Sequence, residues 1–157
     1  KGEQKMDSYY DYLEESTNVV KSNIKRNKMI TIMSYLLIWA IAMIAFWFFK
    51  DDSSAMGYSL LYLWVILPVT TFFVSVIIGI NDFWGIKKWT FTVFFGIMYM
   101  LAEYGTFKMA NNIAFDKLNA PDWGMIAGGT IISATGMLIG VLFHLIGSAE
   151  NKKRRSV

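Results

Sequence analysis

The chain contains no cysteine, one histidine and two prolines in 157 residues. Without thiols it has no disulfide, no thiolate nucleophile and no cysteine-ligated metal. His144 stands alone in an apolar stretch, with no histidine or carboxylate near it in sequence to complete a metal site. No metal or other cofactor is expected. Charge is scarce as well: Asp, Glu, Lys and Arg make up 17% of the chain, against about a quarter in soluble domains. There is no Gly-rich phosphate loop, no His-Asp-Ser set and no pair of carboxylates. The signatures of a membrane ATPase, protease or acyltransferase are therefore missing, and a non-enzyme is expected.

What the chain has is apolar surface. Hydrophobic residues make up 55%, with 12 Phe, 8 Tyr and 6 Trp, and the mean hydropathy is +0.39. Four runs, 29–49, 58–80, 89–109 and 124–147, each have the roughly 20 residues that a helix needs to cross a hydrocarbon core of about 30 Å. Short connections make sequential runs antiparallel neighbours. The predicted fold is an all-α integral membrane protein: a four-transmembrane-helix bundle running up-down-up-down, with an N-terminal cytoplasmic amphipathic helix. It divides into an N-terminal segment (1–28), a membrane domain (29–147) and a basic tail (148–157). The first 28 residues are polar, so no cleavable signal peptide is expected at this end.

Within that segment Met6, Tyr9/Tyr10, Leu13, Thr17, Val20 and Ile24 recur at steps of three and four, one stripe of a helix. Acidic residues (Asp7, Asp11, Glu14, Glu15) come first and basic ones (Lys21, Lys25, Arg26, Lys28) last, which suits the helix macrodipole. Two readings are open: a helix lying along the membrane surface or into a partner, or a plain extension of the first span. Ten basic residues (Lys21, Lys25, Arg26, Lys28, Lys87, Lys88, Lys152, Lys153, Arg154, Arg155) fall on one side of the predicted membrane and three (Lys50, Lys108, Lys117) on the other. The positive-inside rule then puts both termini in the cytoplasm, at the cell membrane. Trp84 and Trp89 at one face and Trp47, Tyr58 and Trp123 at the other suit the headgroup zones. The tail KKRR reads as a topology signal or a contact with anionic lipid, not as a nucleic-acid site.

Glu103 is the only acidic side chain in the four runs. An ionisable group in hydrocarbon is costly and by default faces protein or water. Thr92, Gly96, Tyr99, Thr106 and Ala110 share its helix face, so the stripe should turn toward the other helices. Lys108, five residues on, projects about 140° away on an α-helix and is expected to reach for the surface. Partners at matching depth are Gly129, Thr130 and Ser133, and the Trp64 carbonyl, which loses its helical donor because Pro68 has no N–H. The predicted intramembrane polar site is thus Glu103, Tyr99, Thr106, Ser133 and Trp64. The alternative is a carboxyl that only locks helices together. Thr70, Thr71 and Ser75 are expected to bond to their own helix.

Gly129, Ser133, Gly136 and Gly140 form a small-residue face that permits close helix approach, expected mainly within the chain and against Gly96. In the segment 110–123, Asn111, Asn112, Asp116, Asn119 and Asp122 lack the spacing of a calcium loop. Pro121-Asp122 reads as a turn and helix cap. Two functions are consistent with all this. The first is a non-enzymatic accessory or regulatory subunit of a membrane assembly, surrounded by the lipid bilayer and bound to a larger membrane protein. The alternative is a small homo-oligomeric transporter or channel with Glu103 as its proton or cation site.

Overall fold

The computed structural model describes residues 2–49, 57, 60–116 and 118–155, with only the backbone described for 2–11, 49, 82–83, 151–153 and 155. Lys50, Asp51, Asp52, Tyr58 and Lys117 lie outside the described residues. Every regular element among the described residues is helical and none is a strand. Three helical segments, Tyr12–Phe48, Tyr62–Ile80 and Trp123–Glu150, are long and apolar enough to cross a membrane.

The first helix, α1, runs unbroken through Gly2–Phe49, 48 residues. At 1.5 Å per residue it is about 72 Å long, more than twice the hydrocarbon thickness. No glycine or proline stands between Glu3 and Phe49, so nothing in the sequence stops the helix at residue 28. The polar segment is an extension of the first apolar run, along the same axis.

The second run opens with a π-helical turn, Tyr62–Ile66, and continues as α2, Leu67–Ile80. Pro68 sits at its first turn, where a missing N–H does least harm. A 3-10 segment, Asp82–Trp89, follows, split by Gly85 at φ +50° and ψ −135°. Only glycine takes that conformation without strain, and it reverses the chain. Next come α3 (Thr90–Glu103), a π turn (Tyr104–Lys108) and α4 (Met109–Phe115). Helix thus persists past residue 109, and the connection predicted over 110–123 shrinks to 116–122. Asp116, in the left-handed region (φ 48°), ends the run. Asn112 Oδ1 then accepts both the backbone N–H and the side-chain amide of Asn119, each at 2.8 Å. Asp122 Oδ1 accepts the Gly124 N–H at 2.8 Å and caps α5, Trp123–Arg155.

The small residues decide the packing. A Cβ at Gly129 would stand 2.7 Å from Tyr99 Cβ and 3.0 Å from Gly96 Cα, so α5 touches α3 backbone to backbone there. A Cβ at Gly136 would stand 2.6 Å from Phe72 O, and one at Gly140 would meet Val76 O and Gly79 Cα. The small face of α5 is therefore shared: Gly129 meets α3, and Gly136 and Gly140 meet α2. Close backbone approach of this kind drives helix association where water cannot. α1 joins through Tyr35, Ala42 and Phe46, all buried. Trp39 Nε1 also donates to Met98 O at 3.1 Å. Outward faces are apolar, with Leu37, Ile41, Ile44, Phe73, Ile131, Leu138 and Leu142 all exposed. Such faces match a hydrocarbon solvent.

The 3-10 segment lies beside the middle of α1, since the Lys28 ammonium sits 5.3 Å from the centre of the Trp84 ring. This is the tail end. The 116–122 connection marks the opposite, loop end.

Candidate functional site

Two π turns build the surroundings of Glu103. In an α-helix each N–H bonds four residues back; in a π turn it bonds five back. In the first turn the Leu67 N–H bonds to Tyr62 O. Leu63 O thereby loses Leu67, and the residue five ahead of it is Pro68, which has no N–H. The Tyr99 hydroxyl fills the gap, donating to Leu63 O at 2.6 Å. The proline's orphaned carbonyl, predicted at Trp64, is taken up one residue earlier because the helix is wound wider there. The Trp64 side chain is 71% exposed and plays no part in the polar core.

The second turn acts likewise. Met109 N–H bonds to Tyr104 O and Thr106 O, leaving Gly105 O without its usual donor. Trp47 Nε1 from α1 donates to it at 3.1 Å. Five residues now close about one turn, so Lys108 comes round beside Glu103 and not 140° away. Its Nζ lies 3.9 Å from Glu103 Oε1 and donates to Ala120 O at 2.8 Å. The pair thus bridges α3 to the loop-end connection. The Glu103 side chain is only 10% exposed, and its buried Oε2 accepts no hydrogen bond.

Glu103 therefore sits at the loop end. The residues predicted to share its depth do not gather around it. Gly129 and Thr130 lie beside Gly96, about two turns earlier on α3. Ser133 Oγ pairs with Ser75 Oγ at 2.8 Å, fully buried between α5 and α2. Thr106 Oγ1 bonds back to Ala102 O at 2.6 Å. Thr71 Oγ1, fully buried, does not bond to its own helix. Of the five predicted site residues, Tyr99 and Thr106 share a helix face with Glu103, Ser133 pairs with Ser75, and the carbonyl that Tyr99 reaches is Leu63 O, next to that of Trp64. Lys108 joins the site instead.

His144 is half-buried on α5, and among the described residues no three His, Cys, Asp or Glu side chains are grouped to hold a metal ion. No protein-family model, curated protein or solved structure matches the chain. Any functional reading therefore rests on this geometry.

Proposed function

We propose that the chain is a four-span membrane protein with both termini in the cytoplasm, acting as a non-enzymatic accessory or regulatory subunit of a membrane assembly. The fourth span is the run from Thr90 through Phe115, continuously helical through its π turn and about 39 Å long at 1.5 Å per residue. The excess of Lys and Arg at the tail end supports the orientation.

The observation that carries the reading is the length of α1. Less than half of its 48 residues suffices to cross the hydrocarbon, so α1 continues well beyond a single crossing. Leu13, Val19 and Val20 on this continuation are 41%, 54% and 57% exposed. An amphipathic helix continuing beyond the apolar run suits a binding arm. The Glu103–Lys108 pair supports the same reading, since it gives the buried carboxylate a charged partner and a clasping role at the loop end.

The test is the mass of the particle purified from membranes in mild detergent, with and without residues 6–24. A particle holding this chain and a second membrane protein, reduced to this chain alone by the deletion, is the expected result. A discrete homo-oligomer unchanged by the deletion overturns it.

One observation favours the alternative of an oligomeric transporter or channel: Glu103 Oε2, buried and without a hydrogen bond. In that case Glu103→Gln abolishes proton or cation flux in liposomes while the protein stays folded. An accessory subunit shows no such flux to lose.

A further inference from the structure

The apolar stretches of α1 and α5 end at different heights. α1 and α3 run side by side in the same direction: Tyr35 packs edge-on against Phe95 with 4.6 Å between ring centres, Trp39 Nε1 donates to Met98 O, and Trp47 Nε1 donates to Gly105 O. Gly96, next to Phe95, touches α5 at Gly129. These contacts put Tyr35 of α1 and Gly129 of α5 at one level. Toward the tail end, Lys28 stands seven residues from Tyr35, about 10 Å at 1.5 Å per residue, and Ile146 stands seventeen from Gly129, about 25 Å. The apolar run of α1 thus ends about 15 Å short of that of α5.

The offset sets lysines at the depth of an apolar surface. α5 carries no Asp, Glu, Lys or Arg from Trp123 to Ala149. Its Leu138, Leu142, Phe143, Leu145 and Ile146 are each more than half exposed, a surface suited to hydrocarbon. At those depths α1 presents Lys28, Lys25 and Lys21, within about 60° of one another around the helix. Lys25 and Lys21 are exposed, and the Lys28 ammonium is held 5.3 Å from the centre of the Trp84 ring. That contact turns this face of α1 toward the 3-10 segment, where Ile86 and Lys87, just after the turn at Gly85, are exposed. A lysine in hydrocarbon is costly, and its stem carries the charge only part of the distance to the height at which α5 turns polar. Polar groups must come to the lysines instead, and the anionic ones that a bilayer supplies are lipid phosphates.

We propose that the tail end binds the headgroup of an anionic phospholipid, its phosphate held by Lys25 and Lys28 of α1 and Lys87 of the 3-10 segment. The leaflet is drawn inward on this flank, to the height at which α1 turns polar. Ile86, 87% exposed beside Lys87, offers the acyl chains an apolar contact that a soluble phosphate has no use for. The inference rests on the membrane placement of the three long apolar helices and not on the accessory-subunit reading.

The experiment uses the full chain, purified in mild detergent, mixed with equal amounts of phosphatidylglycerol and phosphatidylcholine and weighed intact by native mass spectrometry. The expected result is one phosphatidylglycerol retained per chain, at least tenfold above phosphatidylcholine. The double variant Lys28→Gln, Lys87→Gln lowers that retention at least tenfold with an unchanged elution profile, whereas Lys28→Arg, Lys87→Arg keeps it. Lys152→Gln with Lys153→Gln removes the same charge from the basic tail and leaves retention as in the wild type. Excess inorganic phosphate does not displace the lipid. Retention that survives Lys28→Gln, Lys87→Gln, equal loss from the tail variant, or displacement by inorganic phosphate overturns the proposal. So does a wild-type protein that shows no preference for phosphatidylglycerol, a result that needs no variant to fold.

Discussion

Tyr99 and Trp47 do similar work at two points 42 residues apart in contact partner: each supplies a side-chain donor to a backbone carbonyl that a π turn has left open, Leu63 O and Gly105 O. In a medium without water such a carbonyl has no other source of donors. Tyr99→Phe keeps the ring and removes the donor, so it should lower stability by about 1–2 kcal/mol, read as a shift in denaturant midpoint in detergent micelles. An unchanged midpoint would mean that Leu63 O finds another donor. Glu103 and Lys108 should behave as a unit. Lys108→Met alone strands a buried carboxylate and should cost about 3 kcal/mol. Adding Glu103→Gln to Lys108→Met should recover most of that loss. If the two costs simply add, the 3.9 Å pair contributes nothing and Glu103 is held by other groups.

At the scale of elements, the close approach of α5 to α2 depends on having no side chain at its tightest point. Gly140→Ala would push a methyl group into Val76 O and Gly79 Cα, both backbone, and backbone cannot rotate away. A loss of about 1–3 kcal/mol is expected. Gly128→Ala is the control on the same helix, since a Cβ there meets nothing within 4 Å. It should be neutral or stabilising by up to about 1 kcal/mol, because alanine is the better helix former. Equal effects at the two positions would show that helix propensity, not packing, governs α5. The buried Ser75–Ser133 bond ties the same two helices together about two turns before Gly140.

For the whole molecule, topology is the property most open to a direct check. The chain has no cysteine, so each introduced thiol reports alone. Ser16→Cys and Ser148→Cys should react with a membrane-impermeant maleimide only when the cytoplasmic face is accessible, and Asn119→Cys only from the opposite side. Labelling of Asn119→Cys from the same side as the other two would remove a span from the proposed four.

The sequence by itself determined the solvent and the elements. Long apolar runs form helices because lipid offers no partner for open backbone groups; the spacing within residues 6–28 showed a helix but left open whether it was separate from the first run, and the structure joins the two. The small face of α5 was visible as a spacing of glycines and serine. What tertiary structure alone decided was register. A single extra residue in each π turn shifts every later side chain around its helix, which moved the open carbonyl from Trp64 to Leu63 and brought Lys108 to Glu103. Depth was decided in the same way, by the backbone contacts of Gly129 with Gly96 and of Gly140 with Gly79, which set how far one helix slides along another. Spacing along one helix says which residues share a face; only the contact between helices says which residues meet.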